Sequence, residues 1–175
     1  MRLSQSIVGL DREQFVKRFG GIYEHSPWIA ERVWERGLDE QHNDVGVLSE
    51  ALVDVLADSS VDEQLSLIQA HPDLVGKAAV AGELTTDSTV EQSSAGLDQC
   101  TAEEFRRFTD LNTRYWQKFD FPFVMAVRNS DRKAILQAFE QRLSNTRDME
   151  FKRAIEEINS IAELRLIAMA SLPAG

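Results

Sequence analysis

The sequence has a single cysteine, Cys100, among its 175 residues. One thiol excludes an intrachain disulfide framework and any zinc site built from several thiolates. Basic residues are also in deficit: 19 Lys and Arg stand against 29 Asp and Glu, for a net charge of -10. An anionic chain gains nothing from the counterion release that drives binding to a phosphate backbone, so no nucleic-acid partner is expected. An anionic membrane surface is disfavoured for the same reason. No stretch reaches the ~20 apolar residues of a membrane span. The opening residues Met1 to Asp11 hold no apolar run long enough for a signal peptide, and Ser171-Leu172-Pro173-Ala174-Gly175 is not a peroxisomal address. A reduced, cytoplasmic setting without membrane association is expected.

What is present is helical spacing. Asp11 opens a segment with Phe15 and Phe19 four apart, closed by Gly20-Gly21. Ser26-Pro27 reads as N-cap and first helical position, with Ile29, Val33 and Trp34 on the apolar face up to Gly37. Leu48, Leu52, Val55 and Leu56 mark a third helix; Val61 to Ala70 marks a fourth, ending where His71-Pro72 pushes the chain out of helical geometry. Residues 81–100 are the least regular, with a short helix expected at 88–94. Thr101 and Glu104 form a capping box for a long helix bearing Phe105, Phe108, Tyr115 and Phe119. The apolar run Phe121 to Val127 reads as a buried extended segment. Ser130 is the expected cap of the next helix, with Ile135, Leu136, Phe139 and Leu143 inward, and a last helix covers about 146–170. Without repeats, low-complexity tracts or linkers, the expectation is one all-α domain over 1–175, a bundle of about seven to nine helices.

Three residues break the rule that apolar stripes carry apolar side chains. Arg165 falls on the stripe Phe151, Ile155, Ile158, Ala162, Met169. An unpaired buried guanidinium is costly, so it is expected to form a core pair with a glutamate, to snorkel its head to water, or to line a polar cleft as an anion-binding fork. Asn112 sits on the aromatic stripe of the long helix, where a buried amide must be hydrogen-bonded. His71, just before Pro72, is placed at a cap, and its ring can face a cleft. No His-Glu-x-x-His or paired-cysteine spacing supports a metal. Ser88, Glu91 and Gln92 lie at i, i+3 and i+4 and so share one helix face. Ser88 with Glu91 also matches a capping box, which accounts for both without any function.

At these same residues the sequence resembles the 2-oxo-4-hydroxy-4-carboxy-5-ureidoimidazoline (OHCU) decarboxylases of urate degradation. The matching stretches are Phe15 to Arg32 with Glu24-His25-Ser26-Pro27-Trp28, His71-Pro72-Asp73-Leu74 with Gly76-Lys77, and Glu83-Leu84-Thr85 through Ser88, Glu91, Gln92 and Ser94-Ala95-Gly96-Leu97. They continue with Phe105, Leu111-Asn112, Tyr115 and Phe119, then Phe121-Pro122-Phe123-Val124, and end with Glu150 to Arg165. The set spans nearly the whole chain in the family's order.

The resemblance implies an all-helical homodimer that needs no cofactor and no metal and converts a small ureidoimidazoline to (S)-allantoin. It implies His71 as the catalytic histidine, Glu91 as its partner carboxylate and Arg165 as the substrate-anchoring arginine. Pro72, Ser88 and Gln92 fall on contact positions, and the backbone of Phe123, Val124, Met125, Ala126 and Val127 is expected around the substrate ring. Asn112 is given a supporting role. Besides a non-enzymatic helical scaffold, which does not explain Arg165 and His71 together, two other readings remain open from the residues. One is hydrolysis of a cyclic ureide by the same His/Glu pair. The other is a J-domain-like interaction module, since His71-Pro72-Asp73 also marks those co-chaperones; the preceding segment Val61 to Ala70 has two acids and no Lys or Arg, which argues against it.

Overall fold

A computed structural model describes residues 1–76, 79, 81–128 and 130–171; Lys77 and the terminal Leu172-Pro173-Ala174-Gly175 lie outside the described residues. Among the described residues there are eight α-helices and no strand: α1 (Arg12–Phe19), α2 (Trp28–Arg36), α3 (Val45–Ala57), α4 (Val61–Gln69), α5 (Thr86–Ser94), α6 (Ala102–Phe119), α7 (Arg132–Arg142) and α8 (Arg147–Ala170). Short 3₁₀ turns cover Glu40–Asn43 and Leu97–Gln99. The chain is all-α, as its periodicity predicts. None of the described helices is long and apolar enough to cross a membrane.

Capping chemistry sets most of the boundaries, because the first N–H groups of a helix have no partner within it. Asp11 accepts from the Gln14 N–H at 2.8 Å while Gln14 accepts from the Asp11 N–H at 3.1 Å, closing a capping box on α1. Thr101 and Glu104 do the same for α6, as expected. Three starts differ from the sequence reading; one is α5, which begins at Thr86 rather than at residue 88. The α7 cap is Asp131 rather than Ser130, since the Asp131 carboxylate accepts from the Ala134 N–H at 2.8 Å. Helix α2 begins at Trp28 with Pro27 in the cap position, and no side chain caps it.

By contact density the chain divides into two compact units, Met1–Leu67 with Asn159–Gly175, and Ile68–Ile158. In the first, α1 packs on α2 and α2 on α3. Its core is aliphatic and phenylalanine-rich: Phe15, Phe19, Ile29, Val33, Leu48, Leu52 and Leu56 are buried, with Ala162 and Leu166 from the end of α8. In the second, α6 packs on α7 and the core is aromatic. The Tyr115 ring lies 4.5 Å from Phe119, 5.5 Å from Phe123 and 5.6 Å from Phe139, and Phe123 stacks on Phe139 at 3.9 Å. Such pairs contribute roughly 0.5–1.5 kcal/mol each beyond area burial.

Two apolar stripes are rotated from the sequence reading. Phe105 is exposed, so the buried face of α6 runs Phe108, Leu111, Asn112, Tyr115, Phe119. On α8 the buried residues are Glu150, Ala154, Glu157, Ile158, Ile161, Ala162, Arg165 and Leu166, whereas Phe151, Ile155 and Met169 are half-buried.

Candidate active site

Helix α5 is the most unusual element in the chain. Its buried residues are Ser88, Glu91 and Gln92, so the inward face is polar throughout. The capping alternative for Ser88 and Glu91 is removed by the geometry. Thr85 is the N-cap, accepting from the Ser88 N–H at 3.3 Å, and the helix starts at Thr86, two residues before Ser88. Ser88 is therefore within the helix, 5 % exposed, and Glu91 sits one turn further along the same face at 9 %. A hydroxyl, a carboxylate and a carboxamide buried side by side supply donors and acceptors of three kinds.

The segment after α4 faces this helix. His71 is buried, and its N–H donates to the Ile68 carbonyl at 3.1 Å as α4 ends. The expectation that Pro72 starts a helix with His71 as its cap is corrected: residues 72–73 are irregular and residues 74–75 form a turn. Val75 lies at φ +54°, a left-handed conformation that is strained for a β-branched side chain. Three side chains hold the turn in place. Gln92 Oε1 accepts from the Val75 N–H at 3.1 Å, Asn112 Nδ2 donates to the Leu74 carbonyl at 2.9 Å, and the Trp116 indole N–H donates to Asp73 at 2.8 Å. Burial pushes the Asp73 carboxyl above its ordinary range, and the Trp116 hydrogen bond opposes that shift. Asn112 thus bridges α6 to the loop carrying His71. Gln92 spends its oxygen on the loop, and its NH₂ is the part left for other work.

Phe121, Pro122, Phe123, Val124 and Val127 are buried in a segment with no regular secondary structure, as the apolar run predicts, while Met125 and Ala126 are half-buried.

Arg165 belongs to the first unit. Its guanidinium is 4 % exposed and lies 3.0 Å from the carboxylate of Glu24, itself 2 % exposed; Nη1 also donates to the Ile22 carbonyl at 3.3 Å. The carboxylate pair expected as one alternative is therefore present. It also holds the guanidinium in a fixed orientation, so a core pair and an anchoring fork are not exclusive. Glu24 had only a place in a matched stretch. It lies in a turn between α1 and α2, where neither helical period reports on burial.

Among the described residues no group of three or more His, Cys, Asp and Glu side chains is arranged to hold a metal ion. The second unit thus holds a hydroxyl, a carboxylate and a carboxamide on the buried face of α5, tied by hydrogen bond to the loop that carries His71.

Known proteins bear on the family directly. The sequence profile of the OHCU decarboxylase family matches residues 9–167. The chain is 41% identical over 162 residues to the 2-oxo-4-hydroxy-4-carboxy-5-ureidoimidazoline decarboxylase of Haloferax volcanii, covering 93% of this chain and 92% of that one. It is 40% identical over 156 residues to the protein of the same name from Halalkalicoccus jeotgali, covering 89% and 85%. Among solved structures, a crystal structure of (S)-allantoin synthase superposes with a TM-score of 0.71 at 29% identity; the match covers 91% of this chain and 51% of that one, so the chain spans about half its length. With matched residues running from the first helix to the last, the chain belongs to the OHCU decarboxylase family.

Proposed function

We propose that this protein is a carboxy-lyase that converts 2-oxo-4-hydroxy-4-carboxy-5-ureidoimidazoline to (S)-allantoin in urate degradation, with the whole chain, 1–175, working as one OHCU decarboxylase-like domain. The observation that carries the reading is the polar inward face of α5, Ser88, Glu91 and Gln92, joined by hydrogen bond to the loop that bears His71. Membership of the family supplies the reaction. A cytoplasmic homodimer is the form we propose for it, in keeping with the family.

The chemistry explains the residue types. The bond from the ring to the carboxylate breaks, releasing carbon dioxide, and its electron pair passes into the conjugated imine of the substrate, whose nitrogen takes up a proton. The hydroxyl-bearing carbon then becomes a carbonyl of the product as it loses its hydroxyl proton, and the neighbouring ring carbon takes up a proton. The substrate is its own electron sink, so the protein's task is orientation and proton transfer. His71 is the group for the proton, a role worth typically ~10²–10⁴-fold. Glu91 orients the imidazole and favours its charged form. Ser88, the NH₂ of Gln92, Pro72 and the backbone of 123–127 hold the ring and ureido group, and Arg165, oriented by Glu24, anchors an anionic or carbonyl oxygen.

The test is to generate the unstable substrate in situ from urate with the upstream enzymes, add the protein, and follow both carbon dioxide release and the optical activity of the allantoin. The expected result is faster release of carbon dioxide with accumulation of the (S) enantiomer. Racemic allantoin at the uncatalysed rate refutes the reading. Ring opening without carbon dioxide release assigns the site to ureide hydrolysis instead.

A further inference from the structure

The irregular segment 121–127 sits in the interior, where each backbone N–H and C=O needs a partner. Two charged side chains from neighbouring helices supply the key bonds. Arg142, in the last turn of α7, donates Nη1 to the Val124 carbonyl at 2.8 Å and lies over the Phe123 ring, 4.4 Å from its centroid. Its other face is held by Glu150, fully buried, which accepts from Arg142 Nε at 2.8 Å, from Asn145 at 2.6 Å and from the Tyr115 hydroxyl. Glu157 on α8 accepts from the Ala126 N–H through Oε2 at 2.8 Å, while its Oε1 pairs with Arg153 at 2.7 Å. The Val127 carbonyl accepts from Ser130 at 2.9 Å. The N–H groups of Phe123, Met125 and Val127 make no hydrogen bond to another described residue.

A guanidinium and a carboxylate, both buried, are expensive partners for two neutral backbone groups, because each charge must be desolvated. Their convergence on one short segment calls for a purpose beyond filling valences. We propose that Glu157 and Arg142 are positioning residues: by holding the Ala126 N–H and the Val124 carbonyl, they set the orientation of the remaining backbone groups of 123–127 that receive the substrate. This rests on the reading of that segment as part of the substrate site. Glu157 was not singled out in the sequence, although it lies eight residues before Arg165 on the same helical stripe, where a polar residue is equally out of place.

The experiment compares Glu157→Ala with Glu157→Gln in the full-length protein, using substrate generated in situ and His71→Asn in parallel. Glu157→Ala is expected to raise KM about tenfold while kcat changes by less than about threefold, as loss of a binding orientation should. Glu157→Gln keeps an acceptor oxygen and is expected to restore KM to within about twofold of the parent. Exchange of the Ala126 amide proton, followed by NMR, should accelerate in Glu157→Ala and stay slow in Glu157→Gln. An unchanged KM in Glu157→Ala, with His71→Asn inactive, overturns the positioning role and leaves the site reading standing. Equal KM increases in both Glu157 variants also overturn it, because charge rather than the Ala126 bond then matters. Full activity of His71→Asn overturns the site reading and this proposal with it. Should Glu157→Ala fail to fold, Glu157→Asp withdraws the acceptor by about 1.5 Å while keeping the charge; the same KM increase is expected, and an unchanged KM overturns the proposal.

Discussion

Helices α3 and α5 both bury one face, and the two faces have opposite chemistry. That of α3 is Val45, Leu48, Leu52, Val55 and Leu56. That of α5 is Ser88, Glu91 and Gln92. Burying each leucine of α3 stabilises the fold by roughly 1.5–3 kcal/mol. A satisfied buried hydrogen bond contributes only about 1 kcal/mol net, and an unsatisfied polar group costs more than that. The α3 face is thus explained by stability alone, whereas the α5 face is a poor way to stabilise a helix. The difference sets α3 apart as scaffold from α5, the helix on which the proposed site rests.

That contrast can be broken by experiment. Leu52, 1 % exposed, is the scaffold test: Leu52→Ala should cost ~2–5 kcal/mol in denaturant unfolding while the folded fraction keeps its specific activity. A large loss of activity per folded molecule would erase the distinction from the α3 side. Glu91→Gln is the site test. Turnover should fall by about 10²-fold, equivalent to ~2.7 kcal/mol in the barrier, with a displaced pH profile and little change in unfolding midpoint. A collapsed midpoint with normal turnover would make α5 an ordinary structural helix.

The smallest effect is expected from a polar group on the outside. The Glu63 carboxyl is lowered from 4.5 to about 2, first by its hydrogen bond to Arg32, then by the Ser60 N–H and hydroxyl. The unfolded chain therefore binds more protons than the folded one between those values. Stability from this group is present above about pH 4.5 and lost as pH falls through about 2. Glu63→Gln should flatten that acid limb slightly and leave stability near neutrality almost unchanged, since exposed ion pairs contribute little. A marked neutral-pH loss would show that surface charge matters here as much as the buried kind.

Much of the fold was legible because helices announce themselves locally. The capping boxes at Asp11 and Thr101 and the four-residue spacing of Phe15 and Phe19 depend only on residues within a turn or two. The site was legible in part. His71, Asn112 and Arg165 stood out as polar residues at interior positions, and all three are buried. Ser88 and Glu91 were ambiguous because a capping box and a polar buried face use the same residues. The position of Thr85 resolves it, and a shift of three residues in a helix start is below what local pattern can discriminate. The turn at Leu74-Val75 was missed altogether: nothing in the sequence marks a valine for positive φ, and the conformation is held from outside by Gln92 and Asn112.

What the sequence determined by itself was the set of helices, their apolar stripes and the few polar residues that interrupt them, since periodicity and capping are properties of neighbours along the chain. Which charge meets which was decided only in three dimensions. Arg165 with Glu24, Arg142 with Glu150 and Glu157 with the Ala126 N–H join residues from different elements, and no spacing along a single helix encodes a partner on another. Desolvation supplies the reason such partners must exist: a buried charge left alone costs several kcal/mol, so the folded chain selects the arrangement in which each is met.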